Sequence, residues 1–129
     1  MDIKPDIQTR DDIKKFIIAF YDAVKTDETI GIIFTKVVEI HWEHHIELIT
    51  DFWESILLDN PVYKNNAMGV HYNLNSKYPL QKKHFDAWLL LFNNCLDKMY
   101  SGRLADLAKK RAKGIADLLL FKMSNPSML

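Results

Sequence analysis

The sequence predicts an all-α domain, on three observations. Apolar residues recur at spacings of three and four in four separate stretches, the mark of helices with one buried face. No stretch of useful length alternates apolar and polar residues, and no segment repeats. The 129 residues, 48% hydrophobic and 26% charged, suit one domain spanning 1–129 around one core.

The first helix is expected to start near Thr9, with Asp12 three residues on completing a capping box. Its inward positions are Ile13, Phe16, Ile17, Phe20 and Val24. A second is expected from about Val38 to Leu58, with Phe34 of "GIIF" at the start of that helical region. A third follows Pro79, carries Phe85, Trp88, Leu89, Phe92, Leu96 and Met99 on one side, and stops at Ser101-Gly102. The fourth carries Leu104, Leu107, Ala108, Ile115, Leu118 and Leu119, with Gly114 as a tolerated interior glycine. Between the second and third, "DNPVYKNNAMGVHYNLNSKYP" (59–79) has five asparagines, two prolines and a glycine, and reads as irregular. With Tyr63, Val70, Tyr72, Leu74 and Tyr78 it is too apolar for a solvated linker, so something should hold it down.

Composition excludes several functions. Seventeen basic and seventeen acidic side chains cancel, which argues against a broad footprint for nucleic acid or an anionic membrane. The cluster "KKRAK" (109–113) falls between apolar residues at helical spacing and reads as a solvated face. No apolar run approaches the roughly 18 residues that span a bilayer, and "MDIKPDIQTRDD" carries no secretory pattern. The single Cys95 has no partner for an internal disulfide and reads as a small core residue. A reduced, cytoplasmic setting is expected.

The histidines carry the functional question. "HWEHHIELITDFW" (41–53) packs three of them into five positions. On a stripe of Trp42, Ile49, Phe52/Trp53 and Ile56, His45 falls inward, and a one-residue rotation would put His44 there instead. A zinc site is poorly supported: His41 and His45 have ligand spacing, but Glu43 fits no metalloprotease motif and Cys95 offers one thiolate. Cys95 as a nucleophile is weaker still, because an apolar setting raises a thiol's pKa. Tyr21, His45 and Trp88 bring polar tips into an apolar interior. Either each tip finds a local partner, as in a haem-free helical interaction module, or they share a cavity facing a small polar ligand. In the second reading His71, in the segment that lacks a reason for order, is the axial ligand of a metal cofactor.

The order and spacing of "FY" (20–21), "IF" (33–34), "HWEHHIELITDFW" (41–53), "GVHYNL" (69–74) and "HFDAWLLLF" (84–92) resemble the group III truncated haemoglobins, from Phe16 to about Phe121. The resemblance implies the truncated globin fold, two helices over two around a haem b. It makes His71 the proximal iron ligand, with His84, in the more motif-like "KKHFDAW", the rival choice. It makes Tyr21, His45 and Trp88 the distal polar residues, and Ile49 the apolar residue over the iron. Phe34 packs on the haem, and Phe20, Phe52 and Trp53 are further wall. The implied function is binding of dioxygen and other diatomic ligands. Two hydrogen-bond donors at the ligand suit tight trapping, or nitric oxide or peroxide chemistry with a separate reductase, better than ready release.

Overall fold

A computed structural model describes residues 3–64 and 67–125, with side chains left undescribed at 67 and 68. The described residues form five α-helices and no strand: α1 (Arg10–Lys25), α2 (Trp42–Leu57), α3 (Ala67–Lys77), α4 (Lys82–Met99) and α5 (Arg103–Ser124), with a π-helical turn at Ile33–Val37. Helix α1 packs on α2 and α4 on α5, and the two pairs stack with α1 against α4 and α2 against α5. That is the two-over-two arrangement the resemblance implies.

Helix α1 begins as its sequence prescribes. The Thr9 hydroxyl accepts the Asp12 N–H, and the Asp12 carboxylate accepts the Thr9 N–H in return. Ile13, Phe16, Ile17, Phe20 and Val24 are all buried. The start of α5 is closed from a distance instead. Gly102 sits at φ 145°, and a Cβ there would lie 2.6 Å from Asp6 Cγ. The space belongs to the Asp6 carboxylate, which accepts the Leu104 and Ala105 N–H groups at 2.9 Å each. Burial pushes the Asp6 carboxyl up, but these bonds and the Ile7 N–H outweigh it and hold it below its ordinary value.

Three expectations change. Helix α2 starts at Trp42 rather than Val38: Val38 is extended, and the neighbouring β-branched Val37-Val38 pair is costly in a helix. Phe34 therefore lies in the separate π-helical turn. The 59–79 stretch is not irregular throughout, because α3 occupies Ala67–Lys77. Asparagine-rich sequence has low helix propensity, and here tertiary contact supplies the difference. Helix α3 packs on α5, and the Asn75 side chain accepts the Leu80 N–H at 2.8 Å and donates to the Met123 carbonyl at 3.4 Å. Cys95 is half-buried at the edge of the core rather than inside it.

An ionic clamp fixes α2 to α1. The Arg10 guanidinium donates to Glu47 and Asp51 at 2.7 Å and to Glu54 at 3.1 Å, three carboxylates on one side of α2. Lys14 also donates to Glu47. Hydrogen bonds from Lys14 and Arg10 hold the Glu47 carboxyl below its ordinary value. The Glu54 side chain is only 6% exposed, so it depends most on the cation. Arg10→Met should lower stability by roughly 1–2 kcal/mol, the bonds being partly solvent-screened. Urea denaturation checks this, and a change below about 0.5 kcal/mol would reduce the clamp to surface decoration.

Candidate haem pocket

Helix α2 has two apolar faces. The fully buried ridge is Thr50, Trp53 and Leu57, with Trp53 packed on Phe92 of α4 at 5.0 Å between ring centres. The stripe expected to be core, Trp42, His45, Ile49, Phe52 and Ile56, is only half-buried. Its neighbours explain why. Helix α2 is held by α1 and α3 by α5, and α2 and α3 make at most marginal contact. An apolar wall is thus left partly open between them, which the flat apolar face of a porphyrin suits.

Polar groups converge on that wall. The Tyr21 ring, 5% exposed, lies 4.9 Å from that of His45, 5.5 Å from Trp42 and 5.7 Å from Phe34. Phe20 touches Tyr21 on one side and Trp88 on the other, at 5.0 Å and 5.9 Å. Trp88 stacks on Phe92, behind which lies Trp53, so Trp53 backs the wall instead of surfacing it. Phe52 is half-buried between Trp53 and Tyr63. His45 is turned inward and His44 is exposed. Trp42, not singled out as a site residue from sequence, packs on both Tyr21 and His45. Its signal was present, three residues before His45 on the same face.

Burial sets the protonation of these groups. Desolvation raises the Tyr21 hydroxyl well above its ordinary value, so it stays a donor at any physiological pH. Desolvation, and then the neighbouring His44, lower His45, which keeps its imidazole neutral near pH 7. The His45 Nε2 atom is buried and finds no hydrogen-bond partner among the described residues. Such an orphan inside a folded protein calls for a guest or a water.

The two candidate proximal histidines differ in chemistry. His71 is half-buried on α3, one residue before Tyr72, whose hydroxyl is another buried orphan. His84 is 5% exposed, and its Nδ1 accepts the Gln81 N–H at 2.8 Å, closing the start of α4. A neutral imidazole that accepts at Nδ1 carries its hydrogen on Nε2. Ligation through Nε2 would move that hydrogen to Nδ1, against the Gln81 N–H. His84 is therefore unsuited to metal.

No group of three or more His, Cys, Asp or Glu side chains that could hold a metal comes together among the described residues. A porphyrin, which brings four nitrogens of its own, needs only one. Two surface clefts lie elsewhere: about 380 Å³ beside Lys4, Asp97 and Lys109, and about 330 Å³ between α1 and α4 beside Cys95. Neither includes a predicted site residue. Burial pushes the Cys95 thiol up, against a nucleophilic role.

No family model matches the chain. It is 28% identical over 110 residues to the group 3 truncated hemoglobin ctb of Campylobacter jejuni, covering 83% of this chain and 84% of that protein. The crystal structure of group III truncated hemoglobin from Campylobacter jejuni superposes with a TM-score of 0.81 at 25% identity, over 94% of this chain and 95% of that one.

The buried imidazoles make stability depend on pH. Desolvation, and then Lys83, also lower the His84 value. The unfolded chain takes up protons below about pH 6.5 while folded His45 and His84 resist them. Stability should therefore fall as pH drops from about 7.5 to about 5.5, and replacing both histidines with phenylalanine should flatten the decline. Urea midpoints across that range decide it. An equally steep decline in the double variant would place its origin in other groups.

Proposed function

We propose that the chain is a group III truncated haemoglobin that binds haem b through His71 and takes up dioxygen and other diatomic ligands, a reading that its similarity to a group 3 truncated hemoglobin supports. The observation that carries this reading is the half-covered stripe of α2, with the orphaned Nε2 of His45, whose ring lies 4.9 Å from that of the buried Tyr21. Apolar surface is stabilised by about 25 cal/mol for each Å² removed from water, so a flat apolar guest of matching shape is favoured there.

When bound, haem would supply an iron able to take up a diatomic ligand. His71 would hold that iron and tie α3 to the cofactor. Phe34, Ile49 and Phe52 supply apolar contact and limit water, with Trp53 behind them. The Tyr21 hydroxyl and the Trp88 indole N–H are the donors toward a polar guest, and Phe20 fixes the spacing between their rings. Neutral His45 turns either its N–H or its lone pair to the same space. A bond to a partly charged acceptor contributes about 1.5–3 kcal/mol, so two donors suit slow release. Trapping, or nitric oxide or peroxide chemistry with electrons from a separate reductase, fits this pocket better than oxygen carriage.

Adding haem to the purified protein should give a Soret band near ~400 nm, and His71→Ala should lose it or hold haem weakly. Retention by His71→Ala together with loss by His84→Ala would reverse the ligand assignment. In Tyr21→Phe, volume is kept and one donor is lost, so the dioxygen off-rate should rise by about one to two decades. Carbon monoxide, much less polar, should respond far less. Stopped-flow rates for both gases separate the outcomes: equal responses mean altered access, and no response means that Tyr21 does not donate to the guest.

A further inference from the structure

His84 is left with a donor and nowhere to place it. Its Nδ1 is committed to the Gln81 N–H at 2.8 Å, which fixes the hydrogen of the neutral ring on Nε2, on the far side of the imidazole. The residue is 5% exposed, and Nε2 is buried without a partner among the described residues. Leaving a buried donor unmatched is costly, and the helix cap prevents the ring from turning out to water without losing its other bond. Its neighbour on the α3 side is the half-buried Tyr78 ring, 5.5 Å away.

The surroundings favour an anion as the missing acceptor. His84 stands in the first turn of an 18-residue helix, where the unpaired N–H groups and the helix dipole are positive. That turn contains Lys82 and Lys83 and no acidic residue. Lys82 is paired with Asp86 at 2.7 Å, and Lys83 is exposed. One turn further along the same side of α4 is Trp88, which reaches the polar end of the pocket through Phe20. The donor therefore lies on the helix face that borders the pocket, at the end nearest α3.

The geometry points to His84 as the anchor of a haem carboxylate, its Nε2–H donating to one propionate at the junction of α3 and α4. This rests on the haem-binding reading and extends it: one histidine holds the metal from α3, and a second, barred from the metal by its place in the helix cap, holds the rim of the cofactor. The helix start and the two lysines supply the positive surroundings that a carboxylate needs.

The test compares haem with its dimethyl ester, in which both propionates are blocked, in the parent protein, His84→Leu and His84→Gln. The rate of haem transfer to an excess of a scavenging apoglobin is the readout, and circular dichroism reports folding of each variant. With native haem, His84→Leu should release the cofactor about 10- to 100-fold faster than the parent, the loss of one charge-assisted bond. With the dimethyl ester, parent and His84→Leu should differ by less than about threefold, there being no carboxylate to lose. His84→Gln, whose amide places a donor near the Nε2 position, should recover part of the native-haem rate. An equal acceleration with both cofactors would show that His84 only supports the fold, and it would overturn the carboxylate contact while leaving haem binding intact. No acceleration with native haem would overturn it too. A parent protein that takes up neither cofactor would overturn both this contact and the haem-binding reading.

Discussion

Helix α2 must satisfy two apolar faces at once, and the protein covers only one of them fully. Thr50, Trp53 and Leu57 go into the core, Trp53 against Phe92 of α4, while Trp42, His45, Ile49, Phe52 and Ile56 remain half-covered. A helix with so wide an apolar arc would ordinarily be wrapped on both sides. Here the helix that could close the second side, α3, is drawn to α5 by packing and by the two hydrogen bonds of Asn75. The separation of α2 from α3 is thus built in by the contacts of each with other elements. Arg10 contributes from the opposite flank, since its three carboxylate partners hold α2 against α1 and fix where the open stripe faces.

The same constraint governs the chemistry of the pocket. Groups enclosed beside the open stripe are desolvated, and desolvation acts against charge of either sign. Tyr21 is held protonated and His45 neutral by one cause. The pocket consequently offers dipoles and hydrogen-bond donors rather than fixed charges. Such groups discriminate between guests by polarity, because a neutral donor gains most from an acceptor that carries partial negative charge. Fixed charge is kept outside, in the Arg10 clamp and at the first turn of α4.

His84 shows how local structure can assign chemistry to a residue type. By identity it is as able to bind a metal as His71. By position it closes the first turn of α4, and one hydrogen bond at Nδ1 settles where its proton sits. The helix start thereby removes one metal ligand from competition and creates one inward donor.

By itself the sequence determined the helical class, the Thr9–Asp12 start of α1, its buried face, and the inward turn of His45. Each of these is local: periodicity, a cap and side-chain spacing act within a few residues. The order of the aromatic and histidine motifs was legible too, and with it the resemblance that fold and sequence comparison support. Tertiary structure decided the rest. Helix α3 exists because α5 and Asn75 compensate for weak helix formers, so no window of 59–79 could announce it. The stripe of α2 read as core because periodicity reports which residues share a face, not what lies opposite that face. Likewise, spacing could not show that His84 is unsuited to metal, since that follows from the backbone N–H of Gln81 that claims its Nδ1 in the folded helix start.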